Sequence, residues 1–300
     1  MTYATHSLIA AALAAALCLL CREAPLSAAD AKPVKLVMMG DSVTASAAAP
    51  DGDKMPQLVE KGLNARSAGR FAWTVVNAGV GSENSEGGLG RVKGVLTKEQ
   101  PQIVTIAYGL NDCHKKDPKW FEEKMRALLD EIAKHPCKPQ VVVLTATPFV
   151  NEHHFWGKDA FFVGQGGVDS WLDRQLNAVT RRLAAERGLP CIDVHRAFVG
   201  VPDWQKLMSG DGVHPNVEGN RALAAIVVKG LAAYAEANGS PKSKAAEAEK
   251  SARAKVAQAE KAAASPARRA EARKLLEEAG ELCPYLAQVW AGLDRLQTDH

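Results

Sequence analysis

The chain has 300 residues, of which 47% are hydrophobic and 24% are charged, a composition typical of a soluble globular protein. Its formal net charge of +3 is too small to indicate binding to nucleic acid or to an anionic membrane. The length allows one good-sized α/β domain and some additional material. Charge and composition therefore give no indication of a nucleic-acid partner, none is predicted, and the function class stays open.

The first 29 residues have the pattern of an export signal. The apolar run Leu8–Cys21 is too short to anchor the chain across a bilayer, and Ser27-Ala28-Ala29 offers small residues for cleavage. We therefore expect residues 1–29 to be a signal peptide, and the mature protein to be periplasmic or extracellular without a transmembrane anchor. A lipid anchor on Cys18 or Cys21 is the less favoured alternative, because a leucine precedes each of them.

Five short apolar runs alternate with amphipathic segments between residues 33 and 238. The runs are rich in β-branched residues and continuous, as in strands buried on both faces of a parallel sheet. In chain order they are Val34–Gly40, Phe71–Gly79, Gln102–Gly109, Gln140–Phe149 and Pro190–Phe198. Helical spacing of apolar residues predicts helices over Met55–Arg66, Leu89–Thr97, Pro118–Lys134, Val168–Arg187 and Val217–Asn238. This alternation predicts one α/β domain over residues 33–238, with helices on both faces of a parallel sheet.

The composition changes after residue 238. Residues 239–266 are rich in Ala, Lys and Glu, which predicts a linker and a helix that cannot build a core by itself. Residues 267–300 predict a helical hairpin whose small and apolar positions resemble the end of one tetratricopeptide unit and the start of another. One such unit cannot bury its apolar face unaided. The hairpin is therefore expected to dock on the α/β domain, to associate with a second copy, or to contact a partner protein.

Four cysteines lie beyond the predicted signal peptide. Their spacing predicts neither a zinc site nor a dense disulfide framework. Cys191 lies in an apolar run and is expected to be buried. The pairing of the four remains open: they are Cys113, Cys137, Cys191 and Cys283.

Polar residues follow the predicted strands, at the edge where doubly wound sheets bind their ligands. Ser42 follows the first strand, and a serine needs a base to accept its proton before it becomes a good nucleophile. His214, in a loop before the last helix, can serve as that base, with Asp211 orienting its ring. Candidate donors to an oxyanion are the backbone N–H groups of Ser42 and of the Gly81-Ser82 turn and the amide of Asn111.

Four sequence blocks resemble those of the SGNH/GDSL hydrolases, in order and at similar spacing. They are GDSVTAS, the segment Asn77–Arg91, GLND and DGVHPN, and the resemblance extends from Val34 to Asn238. It implies a three-layer α/β/α flavodoxin-like sandwich with a five-stranded parallel sheet, and ester hydrolysis without metal or cofactor. It also implies that Ser42 is the nucleophile, that Asp211 and His214 complete the triad, and that Asn111 is an oxyanion donor.

One position departs from the pattern of this family. Ser82 lies where the family usually has its oxyanion glycine, and only a backbone N–H is required there. A serine is therefore chemically sufficient if its backbone angles allow it. Asp112, beside Asn111, is expected to brace its loop rather than to react.

The loop after the fourth strand offers candidate substrate contacts. His154, Phe155 and Trp156 lie in an aromatic stretch, Asn151–Phe162, where a cleft wall is expected. Aromatic faces suit sugar rings, and they suit packing over a sheet edge equally well. Adjacent histidines in an extended segment are poorly placed to share a metal ion, so no metal is predicted at His153 and His154.

A second Asp/His pair, Asp193 and His195, is predicted to lie in the fifth strand and to cap its end rather than to act in catalysis.

These observations predict an exported serine esterase that hydrolyses short acyl esters, such as acetyl esters on carbohydrate. The predicted export, the aromatic loop and the lack of a long apolar lid favour this interpretation. Lysophospholipid or thioester hydrolysis is an alternative within the same family. A non-catalytic module is the alternative from another class: it would bind a sugar or a phosphorylated ligand and recruit a partner through its C-terminal helices.

Overall fold

A computed structural model describes residues 31–239 and 244–298 of the chain. The predicted signal peptide lies outside the described residues, as does part of the predicted linker, residues 240–243. No helix among the described residues is both long enough and apolar enough to cross a membrane.

The centre of the molecule is a five-stranded, fully parallel sheet with the strand order β2-β1-β3-β4-β5. The strands are β1 (Lys32–Gly40), β2 (Phe71–Gly79), β3 (Ile103–Ala107), β4 (Gln140–Leu144) and β5 (Cys191–Ile192). Gly40, at the end of β1, pairs with Gly79 on one side and with Ala107 on the other, so the carboxyl ends of three strands lie level. This order is that of flavodoxin-like doubly wound sheets, which confirms the predicted fold class.

Helices cover the sheet in two layers. They are α1 (Ser42–Ala45), α2 (Met55–Ser67), α3 (Ser85–Glu99), α4 (Pro118–Lys134), α5 (Ala160–Gly164), α6 (Val168–Trp171), α7 (Ala178–Glu186), α8 (Val194–Val199) and α9 (Val217–Gly239). A π-helical turn, Leu172–Asn177, joins α6 to α7, and short 3₁₀ helices form at Asn111–Lys115, Phe155–Lys158, Trp204–Leu207 and Pro266–Arg268. α2 packs against α9, whereas α3 packs against α4 and α4 against α7.

The apolar stripe predicted on α4 is buried. It comprises Phe121, Met125, Leu128, Leu129 and Ile132. Each of these side chains contributes about 1.5–3 kcal/mol of burial free energy, which explains why the helix is held against the sheet.

The fourth and fifth strands are shorter in the structure than the sequence predicts. After Leu144 the backbone N–H of Ala146 donates to the side chain of Asn177, so that a side chain replaces the next sheet partner. The fifth strand ends at Ile192, because the carboxylate of Asp193 accepts the backbone N–H of Arg196 and caps α8. Asp193 and His195 therefore lie at the start of a helix and not within a strand.

The C-terminal extension forms three helices, α10 (Lys244–Ala263), α11 (Arg269–Leu282) and α12 (Ala287–Thr298). α10 packs against α11, and α12 packs against α7 of the α/β domain. The backbone N–H of Cys191 donates to the carbonyl of Tyr285 at 2.8 Å, so the extension also pairs with the backbone of the edge strand β5. The hairpin thus docks on the α/β domain and protects an exposed edge of its sheet.

The four cysteines of the described residues are free thiols. Cys191 is completely buried, as its apolar surroundings predict.

Candidate active site

The turn after β1 brings Ser42 to the edge of the sheet. Asp41 caps α1, and its carboxylate accepts the backbone N–H of Val43 at 2.9 Å. A Cβ atom on Gly40 would lie 2.7 Å from the carbonyl oxygen of Ala107, which is too close for any side chain. The glycine therefore lets this turn pack tightly against β3, and Ser42 follows at the first position of the helix.

The structure brings Ser42, His214 and Asp211 into one hydrogen-bonded chain. The Oγ atom of Ser42 lies 2.8 Å from Nε2 of His214, and Nδ1 of His214 lies 2.7 Å from Oδ2 of Asp211. A carboxylate only accepts, so Nδ1 carries the proton and Nε2 is left to accept the hydroxyl proton of Ser42. This is the arrangement that activates a serine for nucleophilic attack.

Backbone N–H groups of its own loop stabilise the ionised form of Asp211. Its Oδ1 atom accepts the backbone N–H groups of Val213 and His214, each at 3.0 Å. Partial burial opposes ionisation, but these hydrogen bonds and the His214 ring together hold the pKa of Asp211 below its usual value. The carboxylate can therefore orient His214 and stabilise its protonated form.

Hydrogen-bond donors gather beside Ser42. Within the described part of the chain, the backbone N–H groups of Ser42 and Ser82 make no hydrogen bond. Nδ2 of Asn111 donates to the carbonyl of Glu83 at 2.9 Å, which fixes the orientation of the amide and leaves its second N–H for a ligand. Ser82 has a φ of 61°, in the left-handed region that favours glycine. The structure thus explains why a glycine is expected at this position.

An ion pair supports the loop that carries Ser82. Nε of Arg91 donates to both carboxylate oxygens of Glu83, at 2.7 and 2.9 Å, and Nη2 of Arg91 donates to the carbonyl of Ala78 at 2.7 Å. The Tyr108 hydroxyl donates to the same carboxylate at 2.7 Å. The sequence analysis missed Glu83 and Tyr108, and it used Arg91 only as the end of the second sequence block.

The candidate triad and the candidate oxyanion donors line one cleft of about 620 Å³. Its walls are formed by Ser42, Gly81, Ser82, Leu110, Asn111, Phe149, His153, His154, Phe155, Trp156, Asp211, Val213 and His214. All the predicted site residues therefore face the same space. Among the described residues, no three His, Cys, Asp or Glu side chains are placed to hold a metal ion together.

The aromatic loop contributes one wall of this cleft. The His154 ring is buried and lies 4.7 Å from the ring of Phe149 and 5.0 Å from that of Trp156, centre to centre. Burial, reinforced by the nearby His214, lowers the pKa of His154, although Asp211 acts in the opposite direction. Phe155 is 72% exposed and offers its ring to the cleft and to solvent.

The end of the same loop packs elsewhere. The rings of Phe161 and Phe162 lie 5.8 and 5.3 Å from that of Trp171, and neither lines the cleft. The end of the loop therefore packs against the domain, whereas its first half, with Phe155 and Trp156, lines the cleft.

Two other polar pairs lie outside the cleft. Asp112 is buried, and its Oδ1 accepts the backbone N–H and the hydroxyl of Ser85, so it braces the loop as expected. Asp193 and His195 are also buried, and neither lines the cleft.

Several known proteins resemble this chain in sequence. The family model of the GDSL-like lipase/acylhydrolases matches residues 38–222. The esterase TesA of Pseudomonas aeruginosa is 30% identical over 181 residues, which cover 60% of this chain and 79% of the relative. Thioesterase 1/protease 1/lysophospholipase L1 of Escherichia coli (strain K12) is 23% identical over 198 residues, 65% of this chain and 82% of the relative. The uncharacterized lipoprotein YqeF of Bacillus subtilis is 23% identical over 161 residues, and the match spans 49% of this chain but only 61% of that relative.

Solved structures share the fold. A lipase/acylhydrolase from Enterococcus faecalis superposes with a TM-score of 0.55 at 23% identity, over 67% of this chain and 96% of the other. A variant of Axe2, an acetyl-xylooligosaccharide esterase from Geobacillus, has a TM-score of 0.52 at 22% identity, over 67% and 94% of the two chains. In both cases about a third of this chain has no counterpart.

Proposed function

Because the chain belongs to the GDSL-like lipase/acylhydrolase family, and is therefore a carboxylic ester hydrolase of the SGNH type, we propose that it acts as a serine esterase through an acyl-enzyme on Ser42. One observation carries this proposal: the hydrogen-bonded chain Ser42–His214–Asp211 opens into a cleft lined by the Ser82 turn and Asn111. A non-catalytic binding module would need neither the base nor the donors.

The proposed reaction uses each of these groups in turn. Ser42 Oγ attacks the ester carbonyl while Nε2 of His214 takes its proton. The N–H groups of Ser42 and Ser82 and the amide of Asn111 stabilise the oxyanion, and each such donor contributes about 3–4 kcal/mol. His214 then protonates the leaving alcohol, and in the second half it activates the water that hydrolyses the acyl-enzyme. Asp211 keeps the His214 ring in its tautomer throughout.

The space beneath Ser42 supports a short acyl group. An interior gap of about 20 Å³ lies between α1 and the ends of β3 and β4, next to Val43, Leu110 and Ala146. A gap of this size holds about one water molecule and cannot take an acyl chain. We therefore expect the acyl group in the open cleft that Ser42 lines, where an acetyl group fits without an apolar tunnel.

The exposed aromatic wall supports a carbohydrate on the alcohol side. A ring such as that of Phe155, 72% exposed beside the candidate triad, can stack on the apolar face of a sugar. The structural similarity to the acetyl-xylooligosaccharide esterase Axe2 is consistent with this class of substrate. The names of the Escherichia coli relative favour a second candidate, a thioesterase or lysophospholipase activity.

Export is also part of the proposal. It rests on the pattern of residues 1–29 and is compatible with the similarity to a lipoprotein of Bacillus subtilis. The N-terminal residue of the protein recovered from the producing cells tests it: a start near Asp30 supports cleavage, and an intact Met1 contradicts it.

A substrate series tests the proposed activity. Hydrolysis of p-nitrophenyl esters from acetyl to octanoyl, of acetylated xylo-oligosaccharides, of an acyl-CoA thioester and of a lysophospholipid is measured with the wild-type protein. Ser42→Ala is the test variant, and Ser251→Ala, an exposed serine on α10, is its control. We expect the highest kcat/KM on acetyl esters and its loss only in Ser42→Ala. Preference for the long thioester or the lysophospholipid would select the second candidate, and equal turnover without Ser42 would refute the proposal.

A further inference from the structure

A cluster of charged side chains lies buried behind the aromatic wall of the cleft. At its centre is Arg181, whose side chain is 0% exposed and whose Nε donates to Oδ2 of Asp193 at 2.8 Å. Arg181 also contacts Asp173 and, at 3.2 Å, Asp294 of α12. None of these residues contacts the candidate triad directly, so the cluster could reach the site only through other groups.

Asp169 links this cluster to the segment that follows β4. Its Oδ1 atom accepts Nε2–H of His195 at 3.0 Å and the backbone N–H of Phe149 at 2.8 Å. Its own backbone N–H donates to the side chain of Asn151 at 3.1 Å. One carboxylate residue thus holds both ends of the segment 149–151, while His195 is itself held between Asp169 and Asp173.

The same segment touches the loop that carries Asp211 and His214. The backbone N–H of Val150 donates to the carbonyl of Gly212 at 2.8 Å. A Cβ on Gly212 would lie 2.7 Å from the carbonyl oxygen of Val150, and the φ of Gly212 is 73°. The two backbones therefore lie in close contact, so a shift of Val150 is transmitted to Gly212, between Asp211 and His214.

We propose that Asp169 is a positioning residue, which fixes the segment 149–151, and through it the Asp211–His214 loop, against a buried ion cluster that Asp294 of the C-terminal extension completes. The inference rests on the proposed esterase function of that loop. It assigns to the extension a place in the support of the site, because Asp294 contacts both Arg181 and Arg196. Nothing in the sequence blocks around Ser42 or His214 points to this role.

The alternative is a cluster that stabilises the packing of helices and nothing else. Breaking a buried ion pair costs about 3–5 kcal/mol of stability wherever it lies, so loss of stability alone cannot separate the two accounts. Turnover can separate the two accounts, because it depends on the alignment of the triad. Displacement of a reacting group by about 1 Å lowers turnover up to about 100-fold.

The test compares Asp169→Ala with Asp169→Asn and with Asp173→Asn in the full chain. Asp169→Ala removes the acceptor for the Phe149 N–H, and we expect kcat on an acetyl ester to fall at least about ten-fold, with a smaller change in KM. Asp169→Asn keeps a side-chain oxygen at that place and should recover most of kcat. Asp173→Asn removes a carboxylate of the same cluster that makes no bond to the segment 149–151. It should lower the thermal midpoint and leave kcat within about three-fold of the wild-type value.

Hydrogen–deuterium exchange supplies a readout that is independent of turnover. Amides in residues 148–156 and 209–215 should exchange faster in Asp169→Ala than in Asp173→Asn. Equal losses of kcat in these two variants, or unchanged exchange in Asp169→Ala, would overturn the proposal. If Asp169→Ala does not fold, Asn151→Ala is the substitute, because it removes the acceptor of the Asp169 backbone N–H and leaves the charged cluster intact. Unchanged exchange and unchanged kcat in Asn151→Ala would equally overturn the proposal. A wild-type protein without ester turnover refutes the proposed function instead, and the exchange data still decide the positioning.

Discussion

The carboxyl group of Asp41, next to Ser42, should make the stability of the protein depend on pH. Asp41 is 3% exposed, and burial raises its pKa from 3.8 to about 7; the Val43 N–H opposes the rise, and Asp112 and Glu83 add to it. The folded state thus binds this proton more tightly than the unfolded state does. The stability that the proton contributes is complete below about pH 4 and is lost as the pH rises to about 7. A difference of about three pH units corresponds to about 4 kcal/mol, at about 1.36 kcal/mol per unit.

The variant Asp41→Asn isolates this effect. Its side-chain oxygen can still accept the Val43 N–H, but the group cannot ionise. We expect its free energy of unfolding, relative to the wild-type protein, to rise by up to about 4 kcal/mol between pH 4 and pH 8. Urea unfolding at intervals of half a pH unit measures this difference, and Asp203→Asn, an exposed carboxylate, serves as the control. A difference between Asp41→Asn and wild type that stays constant with pH would show that the folded protein does not bind the Asp41 proton more tightly than the unfolded chain does.

Substitutions at three further positions test the cleft. Ser82→Gly relieves the left-handed backbone and should raise the free energy of unfolding by about 1 kcal/mol while turnover persists, whereas Ser82→Val should lower both; chemical denaturation and ester turnover measure them. Asn111→Ala should lower kcat by about 100-fold to 1,000-fold with little change in KM. A rise in KM with kcat unchanged would instead place the amide in ground-state binding. Phe155→Ala should lower kcat/KM about five-fold on an acetylated oligosaccharide and much less on p-nitrophenyl acetate, since an aromatic contact is worth about 1 kcal/mol. A uniform loss on both substrates would contradict the sugar contact.

The sequence predicts the fold class well because both faces of the sheet are buried. Runs such as Val34–Gly40 and Phe71–Gly79 must be apolar along their whole length, so their pattern is visible without knowledge of their partners. The run after Gln140 has the same pattern, yet the strand ends at Leu144. Beyond it, the side chain of Asn177 accepts the N–H of Ala146, and that of Asp169 accepts the N–H of Phe149. Local pattern cannot reveal an acceptor that lies 20 or 31 residues away in the chain.

The same limit applies to the site. Ser42, Asp211 and His214 can be found because each stands in a short block with its own signature, and the parallel sheet brings the blocks together. Arg181 cannot be found in this way, because an arginine in an amphipathic helix is expected to face solvent. Its burial becomes intelligible only when Asp193 and Asp294, from separate parts of the chain, are seen to surround it.

Trapping the acyl-enzyme tests directly whether Ser42 is the nucleophile. The protein is mixed with p-nitrophenyl acetate, quenched in acid within the first turnovers, digested and analysed by mass spectrometry. We predict an acetyl group on the peptide that contains Ser42 in the wild-type protein, and none in Ser42→Ala. Turnover of the ester with no acetylated Ser42, or with the acetyl group on another residue, would contradict the mechanism proposed for this cleft.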